Sequence, residues 1–181
     1  MDQIQALDDR PRDALARAMR RIGYIIALAA LSFPAAGLGQ SVRAETLFAR
    51  GHWVALRFGG QCVAEARPLL PSARRQPEAR VGLSFVGGRG EFHARLSRVP
   101  RPGSSVMLTI GDRPFLLVAR GDWAWGSGLL QDMAIIAAMR VARSMRVEAR
   151  DQRGRRFADR YLLDGAPTAI DAAAAGCAGK S

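Results

Sequence analysis

Short stretches in which apolar and polar residues alternate, separated by glycines or prolines, dominate residues 51–162. Because successive side chains of a strand point to opposite faces of a sheet, a period of two predicts β-strands. Glycine-rich turns divide the stretches at Gly59-Gly60, at residues 87–90 and at Gly111-Asp112. The last of these is a two-residue loop of the kind that favours a primed hairpin turn. We therefore expect about seven short strands, most of them joined as hairpins.

Two segments depart from this period. Within residues 129–144, apolar residues recur at spacings of three and four, as on one face of a helix: Leu130, Met133, Ala134, Ala137 and Val141. Residues 167–175 are rich in alanine and begin with Pro167, which fits the first turn of a short closing helix. Together these elements predict a β-rich α+β fold, an antiparallel sandwich or open barrel with one central helix and a short C-terminal helix.

The N-terminal region has the layout of a secretory signal. From Met19 it carries two arginines, an apolar stretch over residues 24–31, a proline and then small residues. We expect residues 1–44 to contain a signal peptide whose true start is Met19 rather than Met1, because residues 1–18 are polar and acidic, and we expect residues 45–181 to form a single domain. An uncleaved membrane anchor is the competing interpretation, but the apolar run is shorter than the roughly 20 residues that a span needs.

The cleavage site is predicted from small residues. Val42 and Ala44 occupy the positions that signal peptidase reads, so Glu45 becomes the first residue after export. A cut after Gly39 is the alternative. The expected location is the periplasm, with the cell surface or the medium as alternatives.

Cys62 and Cys177 are the two cysteines of the chain. Both follow the predicted signal, and in an oxidising compartment a bond between them is the default. The chain has no Cys-x-x-Cys, and only His52 and His93 are present to complete a metal site. We therefore predict a structural disulfide that closes the domain, and no metal.

Positive charge is carried almost entirely by arginine. The chain has 27 basic and 16 acidic residues, a net charge of +11, and Lys180 is its single lysine. Most arginines are scattered, which is typical of a solvated surface. One predicted hairpin gathers four of them: Arg153, Arg155, Arg156 and Arg160. Since the guanidinium fork suits phosphate and carboxylate, this hairpin is a candidate surface for anionic lipid or polysaccharide, and the export signal argues against nucleic acid.

Trp123 and Trp125 stand two residues apart on a predicted short strand, so their side chains share a face. They form either a platform for a ligand or a plug in the core. His52 and His93 are the possible bases for nucleophilic catalysis, but neither lies in a recognisable catalytic frame. We assign no catalytic residue and no cofactor, and we expect a protein that is not an enzyme.

Several motifs follow one another in the same order as in a known family. They are the early Trp53, CVAEARP (Cys62–Pro68), SVMLTIGDRPFLL (Ser105–Leu117), GDWAW (Gly121–Trp125), LLQDMAIIAAMRVARSMRVEA (Leu129–Ala149) and DRYLLDGAPTAIDAAAAGC (Asp159–Cys177). In this succession the chain resembles the short, exported members of the invasion-associated locus B family of alphaproteobacteria, over nearly all of residues 45–181.

This resemblance implies a periplasmic or surface-associated β-rich domain and no catalytic residues. Our first functional prediction is therefore a non-enzymatic binding or support protein of the cell envelope, with an unknown envelope component as its partner. The alternative is a surface-exposed or secreted virulence factor that contacts host cells or anionic glycans and lipids.

Overall fold

In a computed structural model of the chain, residues 43–70 and 78–178 are described. The predicted signal peptide lies outside these residues, apart from Arg43 and Ala44, which precede the first strand. The first five strands are β1 (Glu45–Arg50), β2 (Trp53–Phe58), β3 (Gln61–Ala66), β4 (Arg80–Val86) and β5 (Arg89–Arg95). The remaining strands are β6 (Val106–Ile110), β7 (Arg113–Arg120), β8 (Trp123–Trp125), β9 (Ser144–Arg150) and β10 (Arg156–Leu162). The helices are α1 (Leu129–Val141) and α2 (Ala166–Gly176).

The strands described form one antiparallel sheet in the order β1-β2-β3-β4-β5-β8-β7-β6-β9-β10. The predicted β-rich α+β class is confirmed, with an open sheet, a central helix, a C-terminal helix and a closing disulfide. There are ten strands rather than about seven. Strand β1 had no clear alternation; it lies at the sheet edge and its pairing with β2 shifts register between Thr46 and Phe48.

The sheet consists of two consecutive meanders and a hairpin. Strands β1 to β5 pair in chain order, and β6 to β8 pair in chain order as a second meander. The two meanders meet where β5 pairs with β8, through only three residue pairs, because β8 is three residues long. The hairpin of β9 and β10 adds to the free side of β6.

The open sheet curls, so that strands far apart in its order come into contact. The backbone N–H of Leu69, just after β3, donates to the carbonyl of Arg160 in β10 at 2.8 Å. The indole N–H of Trp53 donates to the carbonyl of Leu162 at 2.9 Å, and the Trp53 side chain is almost completely buried. Trp53 is therefore the core tryptophan of this fold.

Helix α2 packs against β1, β2 and β3 through small side chains. Ala166, Ala169 and Ala173 are fully buried together with Ile170, and their small size allows the helix to approach the sheet closely. The disulfide between Cys62 of β3 and Cys177, just after α2, fixes this helix to the strand. Both half-cystines are fully buried, so the predicted bridge is confirmed as part of the core.

Helix α1 is confirmed, but its rotation is unexpected. The residues that it buries are Asp132, Ile135, Ala138 and Met139. Leu130, Met133 and Val141 of the predicted apolar face are exposed instead. The buried face has apolar residues of its own, Ile135, Ala138 and Met139, and on the same face the carboxylate of Asp132 accepts the backbone N–H of Phe92 at 3.2 Å. Across residues 43–70 and 78–178, no helix combines the length and hydropathy that a membrane span requires.

Candidate functional site

A row of outward-pointing residues crosses the middle of the sheet. The strand register aligns Glu65 with Gly82, Gly82 with His93, and His93 with Trp125. Their chain neighbours, such as Ala64, Leu83 and Ala124, point inward and are fully buried. Because side chains alternate between faces, the row lies on the outer face of the sheet.

Gly82 allows side chains from β3 and β5 to meet above β4. His93 Nε2 lies 3.4 Å from Glu65 Oε1, although their strands are two ladder spacings, or about 10 Å, apart. A Cβ at position 82 would lie 2.8 Å from His93 Nε2 and 2.9 Å from Glu65 Cγ. The absence of a side chain at Gly82 is thus what makes room for the Glu65–His93 contact.

The imidazole of His93 is held on both sides. Its Nδ1 lies 3.3 Å from the hydroxyl oxygen of Ser84, which occupies the next outward position of β4. The hydrogen bond with His93 lowers the pKa of Glu65, and the positive charge of Arg80 lowers it further, against the opposing effect of burial. Glu65 is therefore ionised under ordinary conditions and orients the His93 ring.

The structure places both predicted tryptophans beside this row. Trp123 is half-buried and lies between two arginines, with the guanidinium carbons of Arg80 and Arg95 at 5.4 and 5.9 Å from its ring centroid. The rings of Trp123 and His93 are 6.1 Å apart and tilted. Trp125 is 38% exposed. The tryptophans thus lie on the outer face of the sheet, and the alternative of a core plug is wrong.

These residues line an open cavity of about 580 Å³. Its wall combines the two indoles with the polar groups of Glu65, Ser84, His93 and Asp132. Burial raises the pKa of Asp132, the nearby Glu91 adds to that rise, and the N–H of Phe92 opposes it. A Cβ at Gly126 would collide with the Asp132 carboxylate, so a second glycine shapes this wall. The cavity therefore offers aromatic faces together with hydrogen-bonding groups of differing charge.

The residue types of a nucleophilic triad are present in Ser84, His93 and Glu65. Their contacts hold the His93 ring in place, but they are poorly suited to activate the Ser84 hydroxyl. Both contacts are long, at 3.3 and 3.4 Å. Ser84 lies in the middle of β4, which pairs with β3 on one side and β5 on the other. The backbone N–H groups around it serve the sheet ladders, whereas acyl transfer needs donors aimed at a developing oxyanion.

The four predicted arginines lie elsewhere, on the hairpin of β9 and β10. Arg156 is directly opposite Arg150, and Arg160 is directly opposite Arg146. Arg155 makes an ion pair with Asp151 at 3.3 Å, while Arg153 is in the turn. The outward face of this hairpin is basic, and a recess of about 390 Å³ lies between its arginines and Ser104 and Ser105.

The two histidines that sequence reasoning considered are not brought together. His52 is exposed in the turn between β1 and β2, outside the row that contains His93. Among the described residues, no cluster of three or more His, Cys, Asp or Glu could hold a metal ion. The site residues that the sequence did not point to are Glu65, Gly82, Ser84 and Asp132. The sequence did contain a signal for Ser84. Alternate positions counted outward from the turn at residues 87–88 place Ser84 and His93 on the same face of the hairpin.

The fold and the site define a disulfide-closed, β-rich α+β protein with an aromatic-lined cavity on the outer face of its sheet. No protein-family model, curated protein or solved structure matches the chain.

Proposed function

We propose that this chain is a non-enzymatic binding protein of the bacterial cell envelope, related to the invasion-associated locus B family, and that it holds a glycan in the cavity of Trp123 and Trp125. The observation that carries the proposal is the combination of two indoles and the Glu65–His93 pair in one cavity of about 580 Å³. Binding sites are typically concave and largely apolar, with a few well-placed polar groups.

The chemistry of the cavity favours a ring-shaped polar ligand. An indole offers a flat apolar face, against which the C–H face of a sugar ring can pack. Ionised Glu65 accepts hydrogen bonds, and the hydroxyl of Ser84 both donates and accepts them. Cavities of about 300–1,000 Å³ suit small ligands, so the volume fits a short oligosaccharide.

Export is supported by two independent features. The segment before Glu45 has the charged, apolar and small-residue regions of a secretory signal. The disulfide between Cys62 and Cys177 is of a kind that persists in oxidising compartments and is rare in the cytosol. Both features favour the periplasm as the location of the domain.

The binding proposal is tested by calorimetric titration with muropeptides and with lipopolysaccharide core oligosaccharides. We expect at least one of these probes to bind, and Trp125→Ala to weaken that binding by about fivefold, since stacking on an aromatic face contributes on the order of 1 kcal/mol. Phe58→Ala is the matched control, because Phe58 is an aromatic residue of nearly the same exposure, 37% against 38% for Trp125, and does not line the cavity. Equal losses in both variants, or no binding of any probe, would contradict the proposal.

The export proposal is tested by the intact mass of the protein recovered from its native host. Free thiols are alkylated before and after reduction. We expect a mass that begins at Glu45 and alkylation only after reduction. A mass that retains residues 19–44, or two thiols that react without reduction, would contradict export.

A further inference from the structure

Six large apolar side chains are exposed around the N-terminal end of α1. Leu130 is 83% exposed, Met133 58%, Leu116 56% and Leu129 53%. Val118 and Trp125 complete the set, which we call the apolar patch. Isolated exposed apolar residues are ordinary, but a contiguous group of this kind marks an interaction surface.

The members of the apolar patch are neighbours in the fold. Val118 and Trp125 are a register pair of β7 and β8, and Leu116 is the next outward residue of β7. Helix α1 is tied to this strand by the side-chain amide of Gln131, which donates to the carbonyl of Leu116 at 3.1 Å. Leu130 and Met133 are three residues apart on α1 and share its solvent face.

The rotation of α1 is what creates the patch. The helix buries Asp132, whose carboxylate serves the N–H of Phe92, and thereby turns Leu130 and Met133 to the solvent. The opposite rotation would bury Leu130 but expose Ile135 and Met139, which are fully buried here. The helix is therefore apolar on two faces, and the face that does not enter the core is left as an exposed apolar surface.

Charge at the edge of the patch indicates what covers it. Arg120 is the outward residue of β7 beyond Val118, and Arg89 lines the cavity together with Trp125 and Leu129. Neither arginine makes an ion pair within the described part of the chain. Glu65, Glu91 and Asp132 also line the cavity. Of these acids, Glu65 is held by His93 and Arg80, and Asp132 is buried against the N–H of Phe92, so neither offers a free charge at the edge of the patch.

We propose that the apolar patch is a docking surface for an anionic phospholipid bilayer. Leucine, methionine and tryptophan side chains enter the boundary between headgroups and acyl chains, while arginines at the edge meet lipid phosphates. The patch shares Trp125 and Leu129 with the cavity wall, and Leu130 and Met133, which do not line the cavity, allow membrane binding to be tested separately from the cavity ligand.

The test is co-sedimentation of the protein with vesicles of phosphatidylcholine alone and of phosphatidylcholine mixed with phosphatidylglycerol. We expect binding to the mixed vesicles that weakens as salt is added, because exposed charges are screened. The double variant Leu130→Ser/Met133→Ser should bind at least about tenfold more weakly, because two side chains no longer bury apolar surface in the bilayer. Phe58→Ser is the matched control; Phe58 is exposed on β2, remote from β7 in the sheet order, and this variant should bind like the wild type.

Arginine variants distinguish the effect of positive charge at the patch on vesicle binding from the effect of the net charge of the protein. Arg89→Gln/Arg120→Gln should reduce binding to the mixed vesicles more than Arg50→Gln/Arg101→Gln, a change of equal charge at exposed positions outside both the apolar patch and the arginine-rich hairpin. All of the altered side chains are exposed. A urea midpoint equal to that of the wild type verifies that each variant is folded.

Three results would overturn the proposal. One is the absence of binding to either vesicle. Another is unchanged binding of the Leu130→Ser/Met133→Ser variant. The third is a dimer in light scattering that the same variant converts to a monomer, without vesicle binding, which would assign the patch to a second copy of the chain.

Discussion

Reduction of the disulfide between Cys62 and Cys177 should remove a large part of the stability of the domain. The bond joins residues 115 positions apart, so it closes a loop that contains strands β4 to β10 and both helices. In the chain-entropy account, such a loop restricts the unfolded chain by about 5 kcal/mol. Domains of this size are stable by about 5–15 kcal/mol, so the reduced form should be close to unfolding.

The assay is urea unfolding followed by tryptophan fluorescence, with and without reductant. With a slope of about 1–3 kcal/mol per molar urea, the midpoint should fall by about 2–5 M on reduction. The variant Cys62→Ala/Cys177→Ala is the control, because reductant should not change its midpoint. If the oxidised and reduced proteins differed by less than about 1 kcal/mol, the assignment of stability to loop closure would be refuted.

Four further substitutions test the core and the site. Gly82→Ala should cost about 1–3 kcal/mol in urea unfolding, because the new Cβ lies 2.8 Å from a backbone oxygen, whereas Gly60→Ala, with nothing within 4 Å, should cost almost nothing. Glu65→Gln should flatten the acid limb of the stability curve: the lowered pKa of this carboxyl stabilises the fold above the pKa of an unfolded glutamate, and that stability is lost as pH falls through the folded value. An equally steep limb in the variant would argue against this role. Tyr161→Phe should leave the thermal midpoint unchanged or raise it, because the buried hydroxyl has no hydrogen-bond partner among the described residues. Asp159→Ala should cost about 1–3 kcal/mol, since its carboxylate accepts a buried backbone N–H at 2.9 Å, and a smaller loss would indicate that water replaces it.

The elements that depend on local chemistry were predictable from the sequence. Gly111 adopts a φ of 60°, as a primed turn requires, and the strands on either side of it pair in register from Ile110 and Arg113. The alternating run of β9 and the return strand β10 pair along their whole length. These features depend on residues close together in the chain, where turn chemistry and a period of two leave few alternatives.

The site was harder to predict from the sequence, because it depends on the order of the strands in the sheet. Trp125 meets His93 only because β8, and not β6, pairs with β5. The local sequences of β5 and β8 contain no feature that makes these two strands neighbours. The rotation of α1 was missed for a related reason, since the N–H of Phe92 that Asp132 serves lies 40 residues away in the chain. Apolar periodicity could not choose between two faces of the helix, because Ile135, Ala138 and Met139 recur at the same spacings as the predicted residues.

The short junction between β5 and β8 has a consequence for motion. Three residue pairs hold the two meanders together there, and a short ladder of this kind belongs to the low-stability end of a protein's local opening events. Amide protons at residues 93–95 and 123–125 should therefore exchange faster than those within the seven-pair ladder of β9 and β10. The candidate cavity lies across this seam, with His93 on one side and Trp125 on the other. A ligand that contacts both side chains would link the two strands, and its binding should first be detected as slower amide exchange at residues 93–95 and 123–125.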